Sequence, residues 1–350
     1  MPSGRRLVHH WGIVPANLTP SYKAAESRYR AARDPEHRLE ALREMLKEIP
    51  KHKGTDHLQA DIKSKIKELT EELAGPRRGG ARTGPPTTIR PEGAAQIALV
   101  GPPNTGKSAL HARLTGSHSA SEAYPFATQH PQPGMWRIED VMIQLVDLPS
   151  IAPSHPIPWI GNTLQPADAV LLTVDLSVPG CVEAVAVAHE ILAERRVHLT
   201  PRWTDRAHLS DPEDPFARVL PCAVVATKSD LIPAIETELE VFLDLEGYHY
   251  PAMAVSAHTG DGLDELGRWL FRNLEIVRVY TKEPGREPDM TRPFTVDRGA
   301  TVIDVAELVH KDFVRAFKFA RVWGPSGYDG QQVGRDHLVA DGDVVELHTT

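Results

Sequence analysis

Cysteine is scarce in this chain of 350 residues, which contains only Cys181 and Cys222. Neither has another Cys or a His at metal-ligand spacing, so the sequence argues against a disulfide framework and a zinc site. Long apolar runs are also missing, because no stretch reaches the roughly 18 residues that a membrane-spanning helix needs. Residues 1–14 include two arginines but no apolar segment of signal-peptide length. We therefore expect a cytoplasmic protein without a membrane partner.

Acidic residues outnumber basic ones, which gives a net charge of −8, but the imbalance is uneven along the chain. Residues 1–90 hold 18 Lys and Arg against 11 Asp and Glu, a local charge of about +7. The remaining residues hold 21 basic and 36 acidic side chains, about −15. A basic segment on an acidic body predicts contact with a polyanion through that segment. An ordinary solvated helical surface has the same composition, and charge does not separate these two interpretations.

The basic segment has the apolar periodicity of helices over residues 19–74. Thr19-Pro20 and Asp34-Pro35 each pair a capping residue with a proline at the first helical position. Two apolar stripes recur at helical spacing on either side of Pro50 and the basic connector 51–54. Their members are Leu39, Leu42, Leu46 and Ile49 in the first stripe and Leu58, Ile62, Ile66, Leu69 and Leu73 in the second. Two stripes joined by a short loop predict an antiparallel helical hairpin.

Apolar strand candidates alternate with helical patterns from Gln96 onward, which predicts an α/β domain with a mostly parallel sheet. The strand candidates are 97–100, 141–146, 169–174 and 223–226, and the helical patterns lie near 180–195, 234–244 and 263–278. Residues 197–219 lack periodicity and predict an inserted loop. After Pro284, short strand candidates surround one helix over 301–317, with Asp341-Gly342 as a hairpin turn, which suits a small β-grasp fold.

These patterns divide the chain into three predicted domains. Residues 1–92 form a helical arm and a basic linker rich in proline and glycine, residues 93–284 form the α/β domain, and residues 285–350 form the β-grasp domain. Phe313, Phe317, Phe319 and Trp323 in the last domain suit either its core or a platform for stacking bases. We favour the core, because small modules need aromatic volume.

A phosphate-binding loop follows the first strand candidate. Gly101-Pro-Pro-Asn-Thr-Gly106-Lys107-Ser108 matches G-x-x-x-x-G-K-[ST] and opens a predicted helix, which is the context that the motif requires. Glycines let backbone N–H groups approach phosphate oxygens, and the helix N-terminus favours anions. The lysine reaches the β- and γ-phosphates, and the serine hydroxyl is a magnesium ligand. The residues expected at the phosphates are Gly101, Asn104, Thr105, Gly106, Lys107, Ser108 and Ala109.

Asp147 stands at the end of the strand candidate 141–146, in Leu145-Val146-Asp147-Leu148-Pro149. A carboxylate at this position can hold magnesium through its water shell. The pattern is common by itself and gains weight from its place downstream of the phosphate loop. We therefore expect Asp147 to contribute to a magnesium site with Ser108.

Thr227-Lys228-Ser229-Asp230 follows the strand candidate 223–226 and resembles the [NT]-K-x-D guanine-recognition motif of translation-factor-type GTPases. An aspartate accepts two hydrogen bonds from the guanine ring N–H and amino group, which adenine cannot offer. The lysine stem lies along the base in such proteins. Ser256-Ala257-His258 resembles the loop that touches the guanine O6. We therefore expect Thr227, Lys228, Asp230, Ser256, Ala257 and His258 to bind the base.

Further stretches resemble the developmentally regulated GTP-binding protein family of the Obg group. They are Ile13-Val-Pro-Ala-Asn-Leu-Thr-Pro20, Lys51-His-Lys-Gly-Thr55, Phe126-Ala-Thr128, Arg321-Val-Trp-Gly-Pro325, Gln332-Val-Gly334 and Asp341-Gly-Asp-Val-Val-Glu346. The similarity covers nearly the whole chain and is typical of a divergent bacterial or archaeal member. It implies a P-loop GTPase domain between a helical hairpin arm and a C-terminal TGS-like β-grasp domain.

The resemblance also carries functional expectations. It implies a GTP-dependent factor that acts near ribosomes or other RNA, which would be contacted by the basic arm and the TGS-like domain. Thr128 would be the switch-one threonine, which binds magnesium when the γ-phosphate is present, and Lys107 and Thr128 would be the catalytic residues. The expected cofactors are GTP or GDP and Mg²⁺. A regulatory protein is a further partner that stays open.

The stretch after Asp147 departs from the family pattern. Ser150 stands where D-x-P-G has a glycine, and Ile151-Ala-Pro-Ser-His-Pro-Ile-Pro158 replaces a glycine-rich stretch. Prolines restrict a loop that has to move, and isoleucine cannot orient the attacking water as a glutamine does in many GTPases. We therefore expect a slow GTPase switch, with a GTP-binding scaffold or sensor of little turnover as the alternative. A P-loop kinase or ATPase is a third interpretation, which Asp230 argues against.

Asn104 occupies the phosphate-loop position where an asparagine helps to hold potassium in potassium-activated relatives. A monovalent cation there would supply charge that an arginine finger otherwise gives. The sequence therefore leaves K⁺ open as a second cation.

Overall fold

The computed structural model describes residues 18–32, 35–50, 55–73, 88–117, 128–204, 209, 211, 214 and 216–349. The connector 51–54, most of the basic linker, and the resemblance residues 13–17 and 126–127 lie outside the described residues. The chain divides into two compact units, Met1–Gly84 and Pro85–Thr350. No helix within the described ranges is long and apolar enough to cross a membrane.

The described part of the first unit consists of α1 (Pro20–Ala31), α2 (Pro35–Glu48) and α3 (Asp56–Leu73). Thr19 caps α1 as predicted, and its hydroxyl accepts a hydrogen bond from the backbone N–H of Tyr22. The apolar stripe of α2 is buried, with Leu42 and Met45 fully inside. Helix α2 packs against both α1 and α3. The predicted packing of the two stripes is confirmed, and α1 adds a third helix to it.

A mostly parallel sheet forms the centre of the second unit. Its strands among the described residues are β1 (Gln96–Val100), β2 (Gln132–Ile138), β3 (Val141–Asp147), β4 (Ala169–Val174), β5 (Val197–Thr200), β6 (Arg218–Ala226) and β7 (Ala252–Ala254). They lie in the order β2-β3-β1-β4-β6-β5, and β7 also pairs with β6. The β2–β3 hairpin is antiparallel and the other pairs are parallel. The carboxyl ends of β1, β3, β4 and β6 therefore meet at one edge.

Helices cover this sheet on both faces. They are α4 (Lys107–Thr115), α5 (Ile160–Leu164), α6 (Cys181–Glu194), α7 (Ile235–Glu246) and α8 (Leu263–Asn273). Alternate residues of β1 enter two separate cores, because successive strand side chains point to opposite faces. Ala98 and Val100 pack with residues of α6 and α7, whereas Ile97 and Leu99 pack with residues of α4 and α8. Because β1 is buried on both faces of the sheet, its sequence contains an unbroken apolar run.

A second sheet follows in the same unit. Its described elements are β8 (Ile276–Lys282), β9 (Phe294–Asp297), α9 (Val302–Val309), α10 (Lys311–Ala316), β10 (Phe317–Gly324), β11 (Gly327–Val333) and β12 (Asp343–Thr349). The strand order is β11-β10-β12-β8-β9. Val302 and Val305 of α9 pack against Val322 and Val345 on one face of the sheet. A mixed sheet with a helix on one face is the predicted β-grasp arrangement.

The four aromatic residues considered for the core or a stacking platform divide between the two faces of the sheet. Phe313 and Phe317 pack against the core, as favoured from the sequence. Phe319 and Trp323 alternate with the core residues Ala320 and Val322 and therefore point to the opposite face. There Phe319 stacks on His348 at 4.3 Å between ring centroids, and the Lys282 ammonium lies 4.1 Å from the Trp323 ring centroid. The core interpretation is thus wrong for these two residues.

The loop predicted over residues 197–219 is partly structured. Val197–Thr200 forms β5, which pairs in parallel with the first residues of β6, so that β6 begins at Arg218 rather than at residue 223. Trp203, which follows β5, is buried, and its indole N–H donates to the Cys222 carbonyl at 3.0 Å. A strand of four residues at a sheet edge has too few apolar positions to produce a periodic signal, so its pairing partner decides it.

The boundary between the two sheets lies earlier than the linker pattern predicts. The helix predicted near 263–278 ends at Asn273, and Ile276–Lys282 is already a strand of the second sheet, before residue 285. An apolar pair such as Ile276-Val277 fits a helix or a strand, and the pairing of β8 with β12 and β9 decides between them. Asp341-Gly342 is not a hairpin turn, because the next strand, β12, pairs with β10 and β8 rather than with β11.

Candidate functional site

The loop between β1 and α4 has the backbone geometry of a phosphate cradle. Gly101 has φ 157°, and a Cβ there would lie 2.5 Å from the Thr173 carbonyl oxygen and 2.6 Å from the Thr173 hydroxyl. Gly106 has φ 80°, a left-handed conformation that favours glycine. Helix α4 begins directly after it, so its free N–H groups face the loop. The arrangement fits an anion bound at a helix N-terminus.

Lys107 is buried in this loop. Its Nζ donates to the carbonyl oxygens of Gly101 at 3.1 Å and Pro102 at 2.8 Å, and to the Ser150 hydroxyl at 3.1 Å. Burial lowers the pKa of Lys107 to about 8, although the negative charge of Asp147 raises it. A buried ammonium that donates to neutral oxygens lacks full charge compensation. Phosphate oxygens in the loop would supply the missing negative charge.

Two hydroxyls converge on Asp147 beside the loop. Its Oδ2 accepts hydrogen bonds from Ser108 Oγ at 2.6 Å and Thr128 Oγ1 at 3.3 Å, and the two hydroxyl oxygens lie 3.0 Å apart. Its Oδ1 is buried and has no hydrogen-bond partner in the part of the chain that the structure describes. Burial raises the pKa of Asp147, although the Ser108 hydrogen bond and the Lys107 charge lower it. These hard oxygen donors and the uncompensated carboxylate oxygen fit Mg²⁺.

Threonines connect the phosphate loop to the neighbouring strands. Thr105 Oγ1 lies 2.8 Å from Thr173 Oγ1 at the end of β4. Thr227 Oγ1, at the end of β6, donates to the Thr105 carbonyl at 2.5 Å and to the Val174 carbonyl at 3.0 Å. The hydroxyls bind the loop to the carboxyl ends of β4 and β6. The loop between strand and helix is therefore held in shape without a ligand.

The predicted base-recognition residues lie at the same edge of the sheet. Lys228 has a left-handed backbone, with φ 56°. Its Nζ donates to the Asn104 carbonyl at 2.9 Å and pairs with Asp175 Oδ2 at 2.6 Å. Asp230 Oδ1 accepts a hydrogen bond from Ser256 Oγ at 2.6 Å, which orients the carboxylate. The two predicted base loops thus meet, although 26 residues separate Asp230 from Ser256.

Four predicted site residues have a smaller part in this geometry. Ala109 and Ala257 are half-buried beside the loops and carry no polar side-chain group. The His258 ring is exposed, and its backbone N–H donates to Ser256 Oγ at 3.2 Å. The Asn104 side chain is also exposed, on a left-handed backbone with φ 61°. These residues lie at the rim of the site rather than in its hydrogen-bonded centre.

Sequence reasoning missed Asp175, Thr173 and His111. Asp175 follows β4 and orients the Lys228 ammonium, and hydrogen bonds from Lys228 and Ser177 lower its pKa against the raising effect of burial. Asp175 could have been found by the signal that identified Asp147, an acidic residue at the end of an apolar strand. His111 is buried in α4, and burial lowers its pKa although the nearby charge of Asp147 raises it. No spacing rule marks a single histidine inside a helix.

The stretch after Asp147 is anchored on its inner side. The Ser150 hydroxyl faces Lys107, and the Ile151 backbone N–H donates to the Gly101 carbonyl at 3.1 Å. The side chains of Ile151 and Ile157 are buried in the sheet core. The replacement of glycine by Ser150 therefore places a hydroxyl on the phosphate-loop lysine, and Pro153 and Pro156 lie between the two buried isoleucines.

Two family models match this chain. A model described as 50S ribosome-binding GTPase matches residues 96–202, which contain the phosphate loop, Thr128 and Asp147. A TGS domain model matches residues 277–349, the second sheet. Among solved structures, the YchF GTPase of Schizosaccharomyces pombe is similar in fold, with a TM-score of 0.51 at 13% identity. That match covers 74% of this chain and 99% of the other.

Two relatives are similar to this chain across both domains. An uncharacterized GTP-binding protein of Methanocaldococcus jannaschii is 31% identical, over 89% of this chain and 92% of the relative. The developmentally-regulated GTP-binding protein 1 of Xenopus laevis is 28% identical, over 85% of this chain and 94% of the relative. With its P-loop GTPase fold and its C-terminal TGS domain, the chain belongs to the developmentally regulated GTP-binding protein family of Obg-group GTPases.

Proposed function

We propose that this protein is a slow, magnesium-dependent GTPase switch that acts on ribosomes or other RNA. The observation that carries the proposal is the convergence of Ser108, Thr128 and Asp147 next to the buried ammonium of Lys107. The Asp230–Ser256 pair at the same sheet edge supports guanine as the base. The site therefore combines a phosphate cradle, a set of magnesium ligands and a base-selective carboxylate.

The residues divide the chemistry between them. Ser108 and Thr128 would ligate Mg²⁺, with Asp147 accepting from its water shell, and the ion would supply positive charge at the phosphate oxygens. Lys107 would exchange its carbonyl and Ser150 contacts for the β- and γ-phosphates. Stabilising the charge that develops on these oxygens is the main catalytic contribution in phosphoryl transfer.

Slow turnover is supported by the residues after Pro149. Ile151 occupies the region where many GTPases place the glutamine that orients the attacking water, and its side chain is buried in the core. Ser150 engages Lys107 through its hydroxyl. The isoleucine side chain has no polar group that could orient the attacking water, so a partner would have to supply that group.

A GTP-binding scaffold or sensor with little turnover is the second candidate. The anchoring of Ile151 and Ile157 in the core favours it, because a segment fixed at both ends responds weakly to the γ-phosphate. The two candidates predict the same nucleotide affinity and different hydrolysis. Single-turnover measurements with and without ribosomes separate them.

The ribosome or RNA partner is proposed from charge and from the second sheet. Part of the basic charge of the arm is compensated within it, since Arg28 pairs with Glu44 at 2.6 Å and Arg30 pairs with Glu26. The proposal therefore places the phosphate contacts on the connector 51–54 and the arginine linker. The half-buried Trp323 ring with the Lys282 ammonium beside it supports a second contact through the TGS domain.

A potassium ion at Asn104 is a further part of the proposal. The exposed amide of Asn104 lies on a strained left-handed backbone at the rim of the phosphate loop. We expect faster GTP turnover in potassium than in sodium, because the added charge would act on the phosphates. Equal rates in the two salts, or a difference that survives Asn104→Ala, would contradict it. Rates are compared at constant ionic strength.

The proposed function is tested by nucleotide binding and turnover. A fluorescent GTP analogue is titrated with purified protein at fixed Mg²⁺, with GTP and ATP as competitors. We expect competition by GTP alone, loss of most affinity in Lys107→Ala, and a weaker magnesium dependence in Ser108→Ala. Ser117→Ala, a serine at the far end of α4, serves as the matched control. Equal competition by ATP, or unchanged titrations in both loop variants, would reject the assignment.

A further inference from the structure

The GTPase domain and the TGS domain share one strand. Helix α8 ends at Asn273, and β8 begins at Ile276. The Ile276 side chain is part of the GTPase core, whereas the next residue, Val277, is part of the TGS core. Alternate residues of one strand therefore enter two cores, and the two domains meet without a flexible linker between them.

The same strand contacts the tip of the β2–β3 hairpin in the GTPase domain. Strands β2 and β3 are joined by the two-residue turn Glu139-Asp140, and β8 reaches this turn through two side chains. The Tyr280 hydroxyl donates to Asp140 Oδ2 at 2.6 Å. Arg278 Nη1 donates to Asp140 Oδ1 at 2.9 Å and to Glu139 Oε2 at 3.1 Å. Both oxygens of the Asp140 carboxylate are thus held by the TGS strand.

The guanidinium that holds Asp140 is itself fixed from the TGS side. Asp341 accepts from Nε of Arg278 at 3.0 Å and from Nη2 at 2.8 Å, a bidentate pair. The Phe271 ring of α8 lies 4.8 Å from the guanidinium carbon. Although burial raises the pKa of Asp140, the hydrogen bonds from Tyr280 and Arg278 hold it below its ordinary value. The carboxylate is therefore ionised and doubly bonded at neutral pH.

The β2–β3 hairpin ends at the proposed nucleotide site. Its register runs from Ile138↔Val141 at the tip to Gln132↔Asp147 at the other end. Seven residues of strand place Asp147 about 20 Å from the tip. β2 is the edge strand of the sheet, so the hairpin is held by β1 on one side, by core packing with α4 and α8 on one face, and by Tyr280 and Arg278 at its tip. Glu139 adopts φ 53° at the tip, a left-handed conformation that costs energy in a non-glycine residue.

We infer that Tyr280 and Arg278 are positioning residues for the GTP site, which act through Asp140 and the β2–β3 hairpin on the placement of Asp147. The inference rests on the proposed function, because it assigns a role at that nucleotide site. A displacement of the TGS strand shifts the hairpin along β1 and alters the distances between Asp147, Ser108 and Thr128. By linkage, binding of magnesium and nucleotide favours one position of the TGS strand with the same coupling free energy.

The inference is tested by magnesium dependence in the full chain. Metal-free protein is titrated with Mg²⁺ in the presence of a fluorescent GTP analogue, and separately of the GDP analogue, for wild type, Asp140→Asn and Tyr280→Phe. We expect Asp140→Asn to raise the half-saturating Mg²⁺ concentration at least threefold, and Tyr280→Phe to do so by a smaller factor. The half-saturating Mg²⁺ concentration of the double variant should equal that of Asp140→Asn. The two changes share the Tyr280–Asp140 contact, so their effects should not add.

Arg286→Ala is the matched control, because it removes an exposed arginine of the TGS domain that pairs with Glu283. It should leave the Mg²⁺ titration unchanged. If Asp140→Asn and Tyr280→Phe lower the melting temperature but keep the wild-type Mg²⁺ dependence, the contacts at the hairpin tip are only structural and the inference is rejected. Tyr280→Phe removes one hydroxyl and preserves the ring, so a folded variant remains available. If wild type binds no guanine nucleotide, the proposed function fails, and this outcome is distinct from normal binding that the variants leave unchanged.

Discussion

At the scale of single residues, several polar groups of the site are already hydrogen-bonded to the protein, although Asp147 Oδ1 has no partner among the described residues. Lys107 donates to two carbonyls and a serine, and Asp230 accepts from Ser256. Hydrogen bonds of this kind preorganise the carboxylate of Asp230 for the guanine edge. They also mean that nucleotide binding replaces protein contacts rather than creating every contact anew.

Base choice is the first prediction at this scale. Asp230→Asn should lower GTP affinity about a hundredfold, because two hydrogen bonds to a charged acceptor are lost. Xanthosine triphosphate should bind more tightly to the variant, since its base reverses the hydrogen-bond pattern. Asp261→Asn, whose carboxylate accepts from Thr259 in the adjacent loop, is the control. Competition titrations check this, and an unchanged preference for GTP would contradict the role of Asp230.

His189 provides a prediction about acid stability. Its ring stacks on Tyr248 with centroids 4.0 Å apart, and burial lowers its pKa from 6.5 to about 4. The unfolded chain therefore binds the proton more tightly between these two values, so stability is complete above pH 6.5 and falls with the pH below it. By pH 5 the loss amounts to about 2 kcal/mol.

His189→Phe keeps a ring in the stack and removes the titration. Its free energy of unfolding should fall about 2 kcal/mol less than that of wild type between pH 7.5 and pH 5. Urea unfolding at the two pH values measures the difference. An equal loss in wild type and His189→Phe would exclude this histidine as the cause.

At the scale of elements, the carboxyl ends of β1, β3, β4 and β6 carry most of the site. Parallel strands place these ends at one edge, which brings loops together that are distant in sequence. The edge strand β5 contributes no site residue, but the segment after it places Trp203 beside β6. This segment therefore supports the strand whose end carries Thr227, Lys228 and Asp230.

Trp203→Phe tests that support. The variant loses the hydrogen bond to the Cys222 carbonyl and leaves part of the buried indole volume empty. We expect the free energy of unfolding to fall by about 1–3 kcal/mol. Val178→Ala, at an exposed position, should change it by less than about 0.5 kcal/mol. Chemical denaturation measures both, and a Trp203→Phe variant as stable as wild type would show that the segment packs loosely.

At the scale of the whole molecule, charge separates a basic arm from an acidic body. Reversing two charges of the connector, Lys51→Glu with Lys53→Glu, should weaken ribosome or RNA association and leave GTP affinity unchanged. The dependence of log affinity on log salt should flatten by roughly two units, because two phosphate contacts are lost. Co-sedimentation over a salt series measures it.

The control for this prediction is Arg195→Glu with Arg268→Glu, which makes the same charge change on exposed positions of the GTPase domain. It should leave RNA association close to that of wild type. Association that does not respond to salt, or that the connector variant retains in full, would reject the arm as the RNA-binding segment. The arm would then serve solubility, as its internal pairs of Arg28 and Arg30 with glutamates allow.

The sequence by itself determined the features that depend on local chemistry. The phosphate loop needs glycine and lysine at fixed spacing, the arm helices need apolar stripes and caps, and the central strands need buried runs. Each of these signals lies within about 20 neighbouring residues, so the pattern specifies it. The order of these signals along the chain was sufficient for the fold class, and the comparisons confirm the family.

Tertiary structure decided the features that depend on pairing between distant segments. β5 is a strand because β6 lies beside it, and β8 belongs to the second sheet because β12 and β9 pair with it. Asp175 joins the site because β4 ends next to β6, and Asp140 meets Tyr280 across 140 residues of chain. Short polar strands and single charged residues carry little local information, since the free energy that selects their position comes from contacts with remote partners.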